Sequence, residues 1–266
     1  MTPDIEKVSA LIRAVAAEEI LPRFQKLAAH DVREKRPGNV VTTADLAAEV
    51  RLIDGLGALA PGSTVVAEEM AEADLAGTLG RLSEAVPVWI IDPVDGTANF
   101  AAGRPEFAVI VAYVELGRTR AGWILDVVND TMAVAEEGSG AFEGDARLRA
   151  AAAAPLSEMT GYLGARLRRH AALIDRLGPI RVTRCAGRDH RDLAVGVLHY
   201  ALFRRSLPWD HAAGSLLHRE AGGYNAAYDG APYDPAGAPE QGILLAPDRD
   251  TWHELHALTA PAFQGS

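Results

Sequence analysis

The chain has 266 residues, 48% of them apolar and 23% charged, and its 26 Lys and Arg against 36 Asp and Glu give a formal net charge of −10. That composition excludes a disordered chain and leaves room for one large core or two smaller ones. The acidic balance argues against nucleic acid or an anionic membrane as a partner, since both call for a basic surface.

The opening residues Met1-Thr2-Pro3-Asp4-Ile5-Glu6-Lys7 lack the basic and apolar regions of a secretory signal, and no apolar run is long enough to span a bilayer, so the expected location is the cytoplasm. A single cysteine, Cys185, excludes an intrachain disulfide and any cysteine-based metal site; a buried structural thiol is expected.

Apolar positions at helical spacing (Ile5, Val8, Leu11, Ile12, Val15, Ala16, Ile20, Phe24) predict a long amphipathic helix over 4–29, bent at Pro22. Lys35 to Asn39 carries turn signals and reads as a loop. Thr42-Thr43-Ala44-Asp45 then starts a helix over 45–59, with Asp45 placed as its N-cap, and Pro61-Gly62 closes it. The β-branched run 63–67 predicts a strand that delivers Glu68-Glu69 at its carboxyl end, followed by a helix near 71–84. The continuous apolar run 86–91 predicts a strand buried on both faces that ends at Asp92.

Residues 107–115, 119–127 and 131–135 predict an antiparallel meander. The run 150–154 before Pro155 marks the expected junction between an N-terminal half, 1–149, and a C-terminal half, 150–266. Beyond it the pattern predicts a strand over 180–185, a helix over 189–197, a strand over 199–204 and a helix over 210–221 stopped by Gly222-Gly223. A strand over 243–246 and a helix over 248–258 finish the chain.

The stretch Ile90-Ile91-Asp92-Pro93-Val94-Asp95-Gly96-Thr97 sets two carboxylates three residues apart. Aspartyl nucleophiles and their partner acids usually stand two apart, on one face of an extended strand end. Here Pro93 forces a turn before Asp95, so the two acids are expected to face a small volume from different directions, which suits cations better than one attacking oxygen. A plain turn remains open, because Asp-Pro and Asp-Gly are common there. Gly96 and Thr97 could begin a short helix whose N–H groups form an anion site, and carboxylates beside such a site need a cation between them.

Taken with Asp45, Glu68-Glu69 and Trp209-Asp210-His211-Ala212-Ala213-Gly214, these residues resemble the inositol monophosphatase family, whose signature has an aspartate, a Glu-Glu pair, Asp-Pro-x-Asp-Gly-Thr and Trp-Asp in that order. The resemblance spans Asp45 to Gly223. It implies an α+β fold, the layered αβαβα sandwich shared with fructose-1,6-bisphosphatase, in a homodimer. It implies a Mg2+-dependent, lithium-sensitive phosphomonoesterase acting on a small phosphorylated metabolite, inositol 1-phosphate by default, with histidinol phosphate, 3′-phosphoadenosine 5′-phosphate or a sugar bisphosphate as alternatives.

By the same resemblance, Glu68, Asp92 and the carbonyl of Val94 hold one ion, Asp92, Asp95 and Asp210 hold a second, and a third sits near Glu68. Thr97 and Asp45 pair to orient and deprotonate an attacking water, with no phosphoenzyme. Gly96 and Thr97 cradle the phosphate, while Asp95, Asp210 and a turn at Gly187 meet the rest of the substrate. Four carboxylates against two Mg2+ leave the site neutral before the phosphate arrives.

One departure concerns substrate choice. Inositol-selective members carry a glutamate seven residues before the Trp-Asp aspartate; here that position is Phe203, followed by Arg204-Arg205. The turn that reads Gly-[Ser/Thr]-Ala-Ala in relatives is Cys185-Ala186-Gly187-Arg188, so Arg188 or Arg204 is expected to meet a second anionic group. Asp210 also reads as a helix cap and Trp209 as packing. His211 is expected on a helix surface, and His253 and His256 in surface or packing roles. Covalent phosphotransfer through Asp92 and a non-catalytic binding protein are the competing readings.

Overall fold

The computed structural model describes residues 2–264. Helix α1 (Ile5–Val15) is capped by Asp4, whose carboxylate accepts from the N–H groups of Glu6 and Lys7. The helical path widens to a π turn at Ala16–Ile20 and tightens to a 3-10 turn at Leu21–Arg23. Pro22 can neither donate to the ladder nor fit against the carbonyl four residues back, so the path ends at Arg23, short of the expected residue 29. The turn signals at Pro37-Gly38 close a hairpin between β1 (Val32–Arg36) and β2 (Asn39–Thr42). Val-Arg-Glu-Lys-Arg is too polar to register as a strand in the sequence.

Helix α2 (Thr43–Leu59) follows, then β3 (Thr64–Ala67). The helix expected over 71–84 starts earlier, as α3 (Glu68–Ala73), and breaks at Asp74, which caps α4 (Leu75–Gly80). Strand β4 (Val88–Asp95) lies parallel to β3 and runs on through Pro93 to Asp95. The meander appears as β5 (Ala108–Glu115), β6 (Arg118–Asp126) and β7 (Thr131–Glu136), extended by β8 (Gly140–Glu143) and β9 (Ala146–Arg147). Strands β3 to β9 form one sheet in sequence order.

The short helix α5 (Thr97–Ala101) links β4 to β5. Residues 148–160 cross without helix or strand to β10 (Gly161–Leu163), and α6 (Ala171–Ile174) follows. Only Ile180 of the expected 180–185 strand makes a bridge, to Gly161. The carbonyls of Thr183 and Arg184 turn instead to the side-chain amide of Asn99, and Arg184 has a left-handed φ of 60°. Helix α7 (Ala186–Ala194) therefore starts three residues before the expected 189. Then come β11 (Tyr200–Phe203), α8 (Pro208–Glu220), β12 (Tyr224–Ala227), β13 (Ile243–Ala246) and α9 (Arg249–Gln264), which outruns the expected residue 258. The second sheet has the order β10-β11-β13-β12.

The alternation along β4 sets the layers. Trp89, Ile91 and Val94 face α1 and α2, packing with Val8, Ile12, Ala48 and Leu52. Val88 and Ile90 face the other way, into a core with Trp209, Ala212, Ala213 and Leu216 of α8. On their far side, α7 and α8 meet the second sheet, where Leu193 packs with Ala201, Phe203, Ile243 and Leu245. The outer face of that sheet, with Tyr200, Leu202 and Leu244, is covered by Leu173 of α6 and by Trp252 and Leu255 of α9. The result is the expected αβαβα sandwich. Among the described residues no helix is long and apolar enough to cross a membrane.

Candidate metal centre

Because β3 and β4 run parallel with Ala67 opposite Ile91, the next residue of each, Glu68 just past the end of β3 and Asp92 within β4, emerge side by side. Antiparallel pairing of β4 with β5 places Asp92 opposite Ile110 and Asp95 opposite Ala108, so three steps on β4 match two on β5. The extra residue is a bulge, and it returns Asp95 to the face that Asp92 occupies. The turn expected at Pro93 is thus a bulge within a continuing strand. On that face Asp210, the third residue of α8, completes a triad whose ligand oxygens all lie within 4.8 Å of one another.

Asp95 is held at the first turn of α7, where its carboxylate accepts from the Sγ–H of Cys185 (3.0 Å) and the N–H groups of Ala186 (3.1 Å) and Gly187 (2.6 Å). Gly187 packs closely there, and a Cβ would lie 3.1 Å from Ala108 Cβ and from Ile110 Cδ1, tighter than an ordinary contact. Asp92 accepts from the Val94 N–H at 3.1 Å. Burial raises the pKa of Asp92, and the charges of Glu68, Asp95 and Asp210 raise it further. Burial also raises Asp95 against its three donors. Asp210 rises through burial, Asp95 and Glu68, with Arg205 opposing.

Asp45 is not the N-cap of α2. Thr42 is, and Asp45 is the third residue of a capping box, its Oδ2 accepting from the Thr42 N–H and hydroxyl. Its Oδ1 is left to accept from the Thr97 hydroxyl at 2.9 Å. The same hydroxyl lies 2.9 Å from the Val94 carbonyl, so one proton faces two acceptors. Burial pushes Asp45 up to about 6. Gly96, at φ 84°, turns the chain from β4 into α5, with Thr97 as the first helical residue. Asp210 is likewise inside its helix, with Leu207 as N-cap and Pro208 at the first position.

Further charged side chains surround these acids, and two of them, Lys35 and Glu49, are not among the site residues expected from the sequence. Lys35 of β1 is buried and pairs with Glu68 Oε1 at 3.2 Å and Glu69 Oε1 at 2.7 Å. Burial works against its charge, but the two glutamates outweigh it and its pKa is raised. Glu49 accepts from the Glu69 N–H at 2.8 Å, and burial pushes both Glu49 and Glu69 up to about 7. Glu49 was accessible to periodicity, standing one helical turn after Asp45 on α2; Lys35 sits in the stretch that reads as a loop.

The arginines fall differently from expectation. Arg188 bonds Asp192 Oδ1 at 3.0 Å and Asp126 Oδ2 at 3.4 Å, and Arg204 stacks over the Phe263 ring at 5.1 Å. Arg205, with Lys35, Arg36 and Trp209, lines a cleft of about 110 Å3 that includes Glu68. Phe203 is core, packed on Tyr162 at 4.7 Å and His211 at 4.6 Å between ring centres. His211 is buried rather than on a helix surface, bonded to His190 and to the Arg205 carbonyl. His253 and His256 pack on Trp252, as expected.

The donor set is hard oxygen throughout, with Asp92 and Asp95 buried and Asp210 half-buried, and carries more negative charge than Lys35 and Arg205 balance, which is the chemistry a divalent cation such as Mg2+ requires.

Comparison with known proteins gives the family and the fold. The model of the inositol monophosphatase family matches residues 3–266. A Thermotoga maritima protein described as fructose-1,6-bisphosphatase/inositol-1-monophosphatase is 33% identical over 204 residues, covering 74% of this chain and 75% of its own. The inositol-1-monophosphatase of Bacillus subtilis is 32% identical over 209 residues, covering 75% and 77%. Among solved structures, a Thermotoga maritima IMPase superposes with a TM-score of 0.82 at 26% identity, over 97% of each chain.

Proposed function

This chain belongs to the inositol monophosphatase family, and from that premise we propose that it is a Mg2+-dependent phosphatase that hydrolyses a small phosphorylated metabolite by direct attack of water. The single observation that carries this reading is the convergence of Asp92, Asp95 and Asp210 on one buried volume beside Glu68, with the Asp45–Thr97 pair next to it.

Glu68, Asp92 and the Val94 carbonyl would hold one Mg2+, and Asp92, Asp95 and Asp210 a second. When bound, the ions supply Lewis-acid activation of water and neutralise the charge that develops on the leaving oxygen. The chain's own residues supply order and proton handling. With the Val94 carbonyl engaged as a ligand, the Thr97 proton is left to Asp45. A lone pair of the Thr97 hydroxyl accepts a hydrogen bond from the attacking water, fixing its direction of approach, and as the water's proton passes to Thr97 Oγ1 the Thr97 proton passes to Asp45 Oδ1. Gly96 and Thr97 present backbone N–H groups to the phosphate at the head of α5.

Asp95 is held by three donors, so its position does not depend on the substrate. That rigidity supports a water mechanism over covalent phosphotransfer, in which the nucleophile is Asp92. Asp92 is crowded by four like charges, those of Glu68, Asp95, Asp210 and Asp45, and has no cationic group among the causes that shift it.

A second reading concerns the substrate. Phe203 faces the core rather than the cleft, and Arg205 is the cation close enough to Asp210 to oppose the rise of its pKa. Arg205 therefore replaces Arg188 and Arg204 as the residue we assign to a second anionic group. This favours a substrate with two charged groups, such as a sugar bisphosphate, over a neutral polyol phosphate. Phosphate release from matched mono- and bisphosphates at millimolar Mg2+, by wild type and Arg205→Ala, tests both readings. Loss of preference for the bisphosphate in the variant is expected.

A further inference from the structure

Between α5 and the first turn of α7 the surface opens into a cleft of about 560 Å3 whose walls carry five arginines, Arg104, Arg168, Arg181, Arg184 and Arg188. In a chain of net charge −10 this is a local reversal of sign. The balancing carboxylates are few. Asp192 meets Arg181 at 3.3 Å and Arg188 at 3.0 Å, and Asp126 reaches Arg188 at 3.4 Å. Glu106 is the one acid on the wall. Among the described residues, no carboxylate forms an ion pair with Arg104, Arg168 or Arg184, and Arg168 turns only its Nε away, to the carbonyl of Leu163.

The volume is that of a ligand site, but Val182 is the only apolar side chain on its wall. Such a lining does not suit a molecule with an apolar body. It suits a compact anion with several charges, and guanidinium forks match phosphate oxygens in pairs.

The cleft shares a wall with the acidic triad. Asn99 Nδ2 donates to the carbonyls of Glu106 (2.7 Å) and Thr183 (2.9 Å). Two residues on, Cys185, Ala186 and Gly187 give Asp95 its three donors. Arg184 lies between these anchor points, exposed, with its left-handed backbone. An anion drawn to Arg184 acts on the segment that positions Asp95.

We propose that this cleft binds a polyphosphate anion at a site separate from the acidic triad, and that its occupancy is transmitted to Asp95 through residues 183–187. The binding claim stands independently of the function proposed above, and the transmission claim rests on it.

Calorimetric titration of the metal-free protein in EDTA with inorganic triphosphate, and separately with ATP, tests the binding. Without metal the triad repels anions, so the heat reports the cleft. One anion per chain is expected, with affinity falling between 25 and 150 mM salt and at least tenfold weaker in the double variant Arg104→Glu, Arg184→Glu. Both side chains are exposed, so an unchanged melting temperature checks that the variant folds. Equal affinities for the two probes identify the phosphate chain as the ligand, and tighter ATP binding identifies a nucleotide. No saturable binding at 25 mM salt, or binding that survives the double reversal, overturns the proposal.

For transmission, the free Mg2+ concentration giving half-maximal phosphatase activity is expected to shift at least twofold with triphosphate in wild type and not in the double variant. Equal Mg2+ dependence overturns the transmission claim. A protein with no phosphatase activity counts against the proposed function and leaves the binding result standing.

Discussion

Asp92 and Asp95 are three residues apart in the chain but two apart in register, opposite Ile110 and Ala108. A bulge at Pro93-Val94 absorbs the extra residue, so both carboxylates leave the same face of β4 and meet Asp210 there. Without the bulge, a spacing of three would put the two acids on opposite faces of the sheet. The spacing that argues against a covalent nucleophile is therefore also what builds a site for cations, with the Val94 carbonyl displaced from the regular ladder.

Crowding of these acids makes the metal-free protein sensitive to pH. Asp45 is pushed up to about 6, and Glu49 and Glu69 up to about 7, each chiefly by burial. A carboxyl whose folded pKa is raised holds more protons folded than unfolded, so its contribution to stability is complete below the unfolded value of about 4 and is lost as pH rises through the folded value. In EDTA the melting temperature is expected to fall by about 2 °C or more from pH 5 to pH 8, since each kcal/mol moves it by about that much in a chain of this size. Saturating Mg2+ should flatten or reverse the slope, because cations displace the protons. Thermal melts across that range with and without EDTA check both signs.

Thr97 offers one proton to two acceptors, Asp45 Oδ1 and the Val94 carbonyl, each at 2.9 Å. Thr97→Ala removes the group assigned to the attacking water and should lower kcat by roughly 10^2 to 10^4, the usual range for a positioned acid or base. The Mg2+ dependence should change little. Thr97→Ser keeps the hydroxyl and should recover most of the rate. Equal losses in both variants would mean that the methyl group, through packing, is what matters.

Cys185 is a hydrogen-bond donor to Asp95, and its thiol pKa is raised by burial and by Asp95. The thiolate is disfavoured, so the folded protein should react with a thiol reagent such as DTNB far more slowly than the unfolded chain. Cys185→Ser supplies another donor and should retain activity. Cys185→Ala leaves two backbone N–H groups on Asp95 and should cost about 1 kcal/mol, read by denaturant unfolding.

Gly96 combines φ 84° with a close approach, because a Cβ would lie 2.9 Å from the Glu106 carbonyl and 3.2 Å from Cys185 Cβ. Backbone rather than a flexible side chain would have to move. Gly96→Ala should cost about 1–3 kcal/mol of stability and lower kcat, since the moved residue heads the helix proposed to bind the phosphate. Gly38 has a similar φ of 79° with nothing within 4 Å, and Gly38→Ala should leave activity unchanged.

The layers and the triad were legible because their signals are local: periodicity in α1 and α2, the apolar run of β4, and four short motifs in order. What escaped depends on contacts distant in sequence. Lys35 pairs with Glu68 and Glu69 from a polar hairpin strand. The 180–185 segment has strand-like residues, but Asn99 takes its carbonyls. Arg188, Arg204 and Arg205 are equivalent as letters. Asp192 and Asp126 claim the first, the Phe263 ring claims the second, and the third faces the site.

The central claim is that cations held by this triad drive phosphate ester hydrolysis. Its most direct test is phosphate release as a function of free Mg2+ by wild type and Asp92→Asn, each checked for folding by its melting temperature. Asp92 is crowded by four like charges, so the metal-free variant should melt at or above the wild-type temperature. The account predicts saturable Mg2+ activation in wild type and, in the folded variant, activity lower by at least about 10^3, the loss of several kcal/mol of transition-state stabilisation. A folded Asp92→Asn protein that hydrolyses phosphomonoesters at the wild-type rate, or a wild type equally active in EDTA, would contradict it.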